Sequence, residues 1–129
     1  MEFIPYARQS ISKEDIEAVS KVLRDDFLTQ GPLIPKFEEL ISKRVQAKYT
    51  TAVNSATSAL QIACHALNLE EGDILWTSPN TFAASANCAL HCKAKVDFID
   101  IDKETYNISV SKLRRKLIEA KENKKLPKI

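Results

Sequence analysis

Apolar side chains recur along the chain with two different periods, and the change of period divides it. Before residue 49 the period is helical. Ile16, Val19, Val22 and Leu23 share one face of a helix expected over residues 13–25. Ser12 with Asp15 three positions on gives that helix the opening of a capping box. Phe37, Leu40, Ile41 and Val45 form a second stripe of the same kind. Between the two runs Phe27-Leu28-Thr29-Gln30-Gly31-Pro32, a connector more apolar than a loop in water needs.

From residue 49 onward, short β-prone runs alternate with helical stretches. Strands are expected over 49–53, 73–77 and 95–100, with helices over 56–67 and 82–92. Strands and helices alternating at this length predict an α/β fold, with right-handed crossovers and a largely parallel sheet flanked by helices. A turn over residues 102–105 leads to a last helix that Ser111 can cap, carrying Leu113, Leu117 and Ile118 on one side. Lys125 to Ile129 then reads as the start of a further strand. Residues 1–48 are thus expected to form an N-terminal arm with two helices. Residues 49–129 are expected to form the first strand–helix units of a larger, incomplete α/β domain.

Composition narrows the function. The 129 residues are 44% hydrophobic and 28% charged, enough apolar matter for a real core. The formal net charge is +2, and it is unevenly spread: residues 112–129 carry +6 and residues 1–111 carry −4. That terminal basic stretch has no interleaved aromatic side chains, so it reads as a solvated helix face and not as a nucleic-acid surface. Only Gly31 and Gly72 occur, which excludes both the three-glycine dinucleotide fingerprint and the phosphate loop ending in Gly-Lys-Ser/Thr. Cys64, Cys88 and Cys92 are odd in number and form no CxxC pair, so reduced buried thiols are expected. The first residues lack the pattern of a signal peptide and no window reaches the length of a membrane span, so a cytoplasmic protein without a membrane partner is expected.

Two turns carry candidate chemistry. In Asn54-Ser55-Ala56-Thr57-Ser58, small hydroxyl residues start an alanine-rich helix, where unpaired N–H groups and the positive end of the dipole favour an anion such as phosphate. Plain N-capping by Asn54 or Ser55 is the competing reading. The second turn, residues 77–87, repeats this strand-to-helix geometry and adds Phe82, an aromatic platform for a planar ligand or else a core residue. In an open α/β sheet both turns lie at the carboxyl ends of strands, the edge where such folds bind ligands. A metal site at Cys88, His91 and Cys92 is the weaker alternative, because adjacent His91 and Cys92 diverge around a helix, and no metal ligand is assigned.

The ordered segments 28–32 with Phe37-Glu38, 54–60, 77–82 and 97–102 with Thr105-Tyr106-Asn107-Ile108 resemble the DegT/DnrJ/EryC1 sugar aminotransferases that use pyridoxal phosphate. That resemblance implies the N-terminal part of the large domain of a fold-type-I transferase, and a homodimer when full length. It implies that Ser55, Ala56 and Thr57 hold the cofactor phosphate while Phe82 stacks on its ring. It also implies that Tyr6, Asp26, Phe27, Leu28 and Thr29 line a nucleotide-sugar site. The reaction implied moves an amino group from glutamate to a UDP-linked 4-keto-6-deoxy sugar in surface-polysaccharide synthesis, most like the route to pseudaminic acid. The Schiff-base lysine and the acidic partner of the ring nitrogen normally lie beyond residue 129 in this family. None of the fourteen lysines sits in the family's lysine context, so no catalytic residue is nominated. The chain alone is therefore expected to be inactive, and a non-catalytic remnant or binding module is the alternative.

Overall fold

The computed structural model describes every residue except 1, 2 and 26. Among the described residues seven elements follow one another: α1 (Lys13–Val22), α2 (Leu33–Val45), α3 (Ala56–Ala66), β1 (Ile74–Thr77), α4 (Ala84–His91), β2 (Lys95–Phe98) and α5 (Val110–Glu122). The chain divides into two compact units, residues 1–52 and 53–129.

In the first unit, α1 opens with the expected capping box. Asp15 N–H donates to Ser12 Oγ at 3.2 Å and Ser12 N–H donates to Asp15 Oδ2 at 2.8 Å. The helix stops three residues short of the expected end, where Arg24 and Asp25 switch to tighter bonds onto Lys21 and Val22 carbonyls. In the connector that follows, a Cβ on Gly31 would lie 2.7 Å from the Phe27 carbonyl oxygen, so the backbone there passes too closely for any side chain. The expected strand over 49–53 does not form. A strand needs a neighbour to pair with, and Thr50 and Ala52 instead bond to α2. Ala52 N–H donates to Glu38 Oε1 at 2.8 Å, and the Thr50 and Ser42 hydroxyls meet at 2.6 Å.

The second unit holds the sheet. β1 and β2 pair in parallel, with Ile74 opposite Lys95 and Thr77 opposite Phe98, and α4 makes the crossover between them. The core joins Cys64, Leu69, Leu75, Cys88, Ala89, Cys92 and Ala94, with Leu60, Val96 and Ile129 packed against it. Most of these side chains are small, and fully buried Ala89 keeps α4 close to its neighbours. All three cysteines are free and buried. Burial and the adjacent Cys88 and Cys92 push the Cys64 thiol up to about 11, so it stays protonated and inert.

Residues 128–129 lie along the edge of β1 that β2 leaves open. Lys128 N–H donates to the Ile74 carbonyl at 2.9 Å and Trp76 N–H donates to the Ile129 carbonyl at 2.8 Å, short of a full strand. The last helix starts earlier than expected. Its N-cap is buried Ser109, whose hydroxyl accepts from Lys112 N–H, and Ser111 lies inside the helix. No helix among the described residues is long and apolar enough to cross a membrane.

Candidate functional site

The site begins at the first turn of α3. Ser55, in extended backbone, caps the helix by accepting from Ser58 N–H at 3.2 Å, and Asn54 Oδ1 accepts from the Ser58 hydroxyl at 2.7 Å. Capping and anion binding are therefore compatible here. The cap satisfies the third residue of the helix, while the N–H groups of Ala56 and Thr57 donate to nothing among the described residues. Ser55, Ala56 and Thr57 are all exposed, so two donors and one hydroxyl face outward at the positive end of the helix.

The second contribution comes from the loop after β1. Asn80 Nδ2 donates to the Tyr106 carbonyl at 3.3 Å, and Ser85 N–H closes the turn on the Phe82 carbonyl at 3.0 Å. α4 itself starts only at Ala84 and has no side-chain cap, so Phe82 stands before the helix and not within it. Its ring is 77% exposed, which removes the core reading.

Both features open onto one cleft of about 250 Å³. Thr57 and Gln61 line it from α3; Phe82, Asn87, Cys88 and His91 line it from the other side. The structure thus brings Thr57 and Phe82 together. Gln61, Asn87 and His91 were not anticipated as lining residues. Gln61 lies four residues after Thr57, and Asn87 and His91 follow Ala83 in steps of four, which was the available signal. Gln61 Oε1 accepts from His91 Nδ1–H at 2.9 Å, and Gln61 Nε2 donates to His65 Nε2 at 2.9 Å and to Cys92 Sγ at 3.6 Å. No lysine lines this cleft among the described residues.

Within the first unit, Phe27 and Leu28 line a small cleft of about 80 Å³ together with Gly31 and Pro32. Thr29 and Tyr6 are exposed, Tyr6 fully so, and neither lines that cleft. Asp26 lies outside the described residues. No group of three or more His, Cys, Asp or Glu side chains able to hold a metal ion occurs among the described residues.

The acidic segment at the end of β2 is tied to α5. Lys116 Nζ donates to Asp97 Oδ2 at 2.6 Å and to the Phe98 carbonyl at 2.7 Å, and Lys112 pairs with Asp100. These lysines hold both carboxyls below the usual carboxylate range. Asp102 is lowered mainly by backbone N–H bonds from Thr105 and Glu104, which close the turn.

Comparison with known proteins bears on this arrangement. Residues 9–124 match the family model of the DegT/DnrJ/EryC1/StrS aminotransferases. The UDP-4-amino-4,6-dideoxy-N-acetyl-beta-L-altrosamine transaminase of Campylobacter jejuni serotype O:23/36 is 45% identical over 115 residues, covering 89% of this chain and 30% of its own length. Protein MJ1066 of Methanocaldococcus jannaschii, itself uncharacterized, is 41% identical over 117 residues, covering 91% of this chain and 30% of its own. Spr1654 of Streptococcus pneumoniae, assigned as a sugar aminotransferase and solved in its PLP form, superposes with a TM-score of 0.81 at 28% identity, over 87% of this chain and 29% of that one. The chain spans about 30% of the length of the curated relatives it matches.

Proposed function

The chain belongs to the DegT/DnrJ/EryC1/StrS aminotransferase family, and from that premise we propose that residues 53–129 carry the phosphate and ring subsites for pyridoxal 5'-phosphate in a sugar aminotransferase. The observation that carries this reading is the shared cleft. The start of α3, through Thr57, and the exposed ring of Phe82 reach it from two different helix-opening turns. The residues fit the group: two unpaired N–H donors and the Thr57 hydroxyl suit a phosphate, and Phe82 suits a flat ring.

When bound, pyridoxal phosphate supplies the electron sink through which an amino group is exchanged. The residues of this chain bind and orient. Ala56 and Thr57 N–H groups, backed by the α3 dipole, anchor the phosphate dianion. Ser55 holds the turn in shape by capping Ser58. Phe82 would stack on the bound ring and shield it from water. Because no lysine lines the cleft among the described residues, the Schiff-base lysine and the acid facing the ring nitrogen are not assigned to residues 1–129.

The substrate pair is a UDP-linked 4-keto-6-deoxy sugar and glutamate, in nucleotide-sugar and surface-polysaccharide synthesis, and the 45% identity to the Campylobacter transaminase supports the pseudaminic acid route. Tyr6, Asp26, Phe27, Leu28 and Thr29 are assigned to the nucleotide sugar. Exposed apolar side chains on α1 and α2, among them Ile16, Val19, Phe37 and Leu40, support assembly into a homodimer.

The test is titration of the protein with pyridoxal phosphate, read as cofactor binding and not as amino transfer, because no catalytic residue is assigned to this chain. Thr57→Ala is expected to weaken cofactor binding about tenfold, the scale of a hydrogen bond to a charged group. Cofactor affinity untouched by both Thr57→Ala and Phe82→Ala would overturn the assignment.

A further inference from the structure

The phosphate turn opens α3 and the ring platform stands in the loop that leads into α4, so a ligand that engages both depends on how α3 and α4 are held together. The buried side chains between them are small, Cys64 on one and Cys88 and Ala89 on the other, with Leu60 of α3 half-buried against them, so few large side chains interlock to fix the register of α4. α4 is eight residues long and lacks a side-chain cap. Among the described residues, both side-chain hydrogen bonds from α3 to α4 and its C-terminal residue come from Gln61, one to His91 and one to Cys92. A third bond, to His65 one turn along α3, fixes the orientation of the amide. Thr57, Gln61 and His65 follow one another at i, i+4 on α3, and Asn87 and His91 do so on α4. The clamp therefore stands one turn behind Thr57 on the wall of the same cleft.

We infer that Gln61 is a positioning residue for the cofactor site: its bonds to His91 and His65 set the spacing between the Ala56–Thr57 turn and Phe82. This rests on the proposed function for its ligand, but the geometry can be read without one. The amide suits the task because it offers an acceptor to His91 and a donor to His65 on one rigid plane. Among the described residues neither histidine hydrogen-bonds to the phosphate turn or to Phe82; both bond to Gln61 and act through it.

The experiment compares the full chain with Gln61→Met, which keeps the length and removes the bonds, and with Gln61→Glu, which still accepts from His91 and accepts from the other tautomer of His65. Nitroxides on Ala59→Cys and Leu90→Cys, both exposed, report the α3–α4 distance, with the three buried cysteines left in place. A narrow distance distribution in the parent that broadens in Gln61→Met and narrows again in Gln61→Glu is expected. An unchanged distribution in Gln61→Met would overturn the inference. In parallel, Gln61→Met is expected to raise the Kd for pyridoxal phosphate about tenfold. Its Kd for inorganic phosphate, which engages one end only, is expected to stay within roughly twofold. Equal loss for both ligands would mean general loosening and would also overturn it. A parent chain that takes up no pyridoxal phosphate, with the distance response intact, defeats the proposed function and leaves the clamp standing.

Discussion

Phe82 is a large apolar side chain on which the folded chain hardly depends. Being 77% exposed, it contributes little burial, and Phe82→Ala is expected to change unfolding free energy by about 0.5 kcal/mol or less. Cofactor affinity is expected to fall in the same variant, because the ring's stacking partner is gone. Urea unfolding beside cofactor titration separates the two, and a large stability loss would return Phe82 to a structural role. Gly31 is the opposite case. A methyl group there meets a backbone carbonyl at 2.7 Å, so Gly31→Ala must displace the connector, at a cost of about 1–3 kcal/mol. The Ile34 amide, which bonds the Gly31 carbonyl at 3.3 Å, should then exchange faster with deuterium. Unchanged exchange would mean the connector yields without strain. The sequence announced both residues by type and place, but neither the exposure of Phe82 nor the Phe27 contact of Gly31 can be read from local pattern.

Elements were legible where a local signal sufficed. Ser12 and Asp15 cap α1 because everything the box needs lies within four residues. Ser111 was expected to cap the last helix, but Ser109 does so. The choice fell to Ser109 because its N–H is already fixed on the Asp100 carbonyl at 3.0 Å, a contact nine residues away. Residues 49–53 have the composition of a strand, but β-propensity does not form a strand without a partner. The β2–α5 pairing was likewise hidden, although aspartates and lysines were visible separately, and it carries a pH dependence. Asp97 is held down chiefly by its bond from Lys116, and Asp100 by Lys112. A carboxyl depressed in the folded state stabilises above its unfolded value, about 3.9 for Asp, and loses that contribution as pH falls through the lower folded value. Stability is therefore expected to decline as pH drops below about 4. Asp97→Asn should flatten that limb while costing only about 0.2–1 kcal/mol near neutrality, since the pair is partly exposed. Urea midpoints measured from pH 7 downward check this, and an identical acid limb in the variant would assign the loss to other carboxyls.

Across the whole molecule, burial is distributed very unequally. Every buried residue among those described lies between Cys64 and Ser109, inside the second unit, and the first unit has none. The alternation of strands and helices made that second unit legible as α/β, because each β-prone run that acquired a partner became a strand. The cleft was only half legible. Its phosphate turn and platform each announce themselves locally, whereas the Gln61–His91 contact joins residues thirty positions apart on two helices of similar composition. Local stability follows buried contacts, so the two units should respond differently to solvent. Amides of α3, β1, α4 and β2 are expected to exchange slowly and near the global rate. Those of α1 and α2, whose bonds are shielded by half-exposed side chains such as Ile16, Val19, Phe37 and Leu40, are expected to exchange orders of magnitude faster at low protein concentration. If α1 and α2 gain protection as concentration rises while the second unit does not, their apolar faces are being covered by another copy, as the proposed homodimer requires. If both units are equally protected at every concentration, burial in the single chain does not govern its stability, and the division at Ala52 has no energetic meaning.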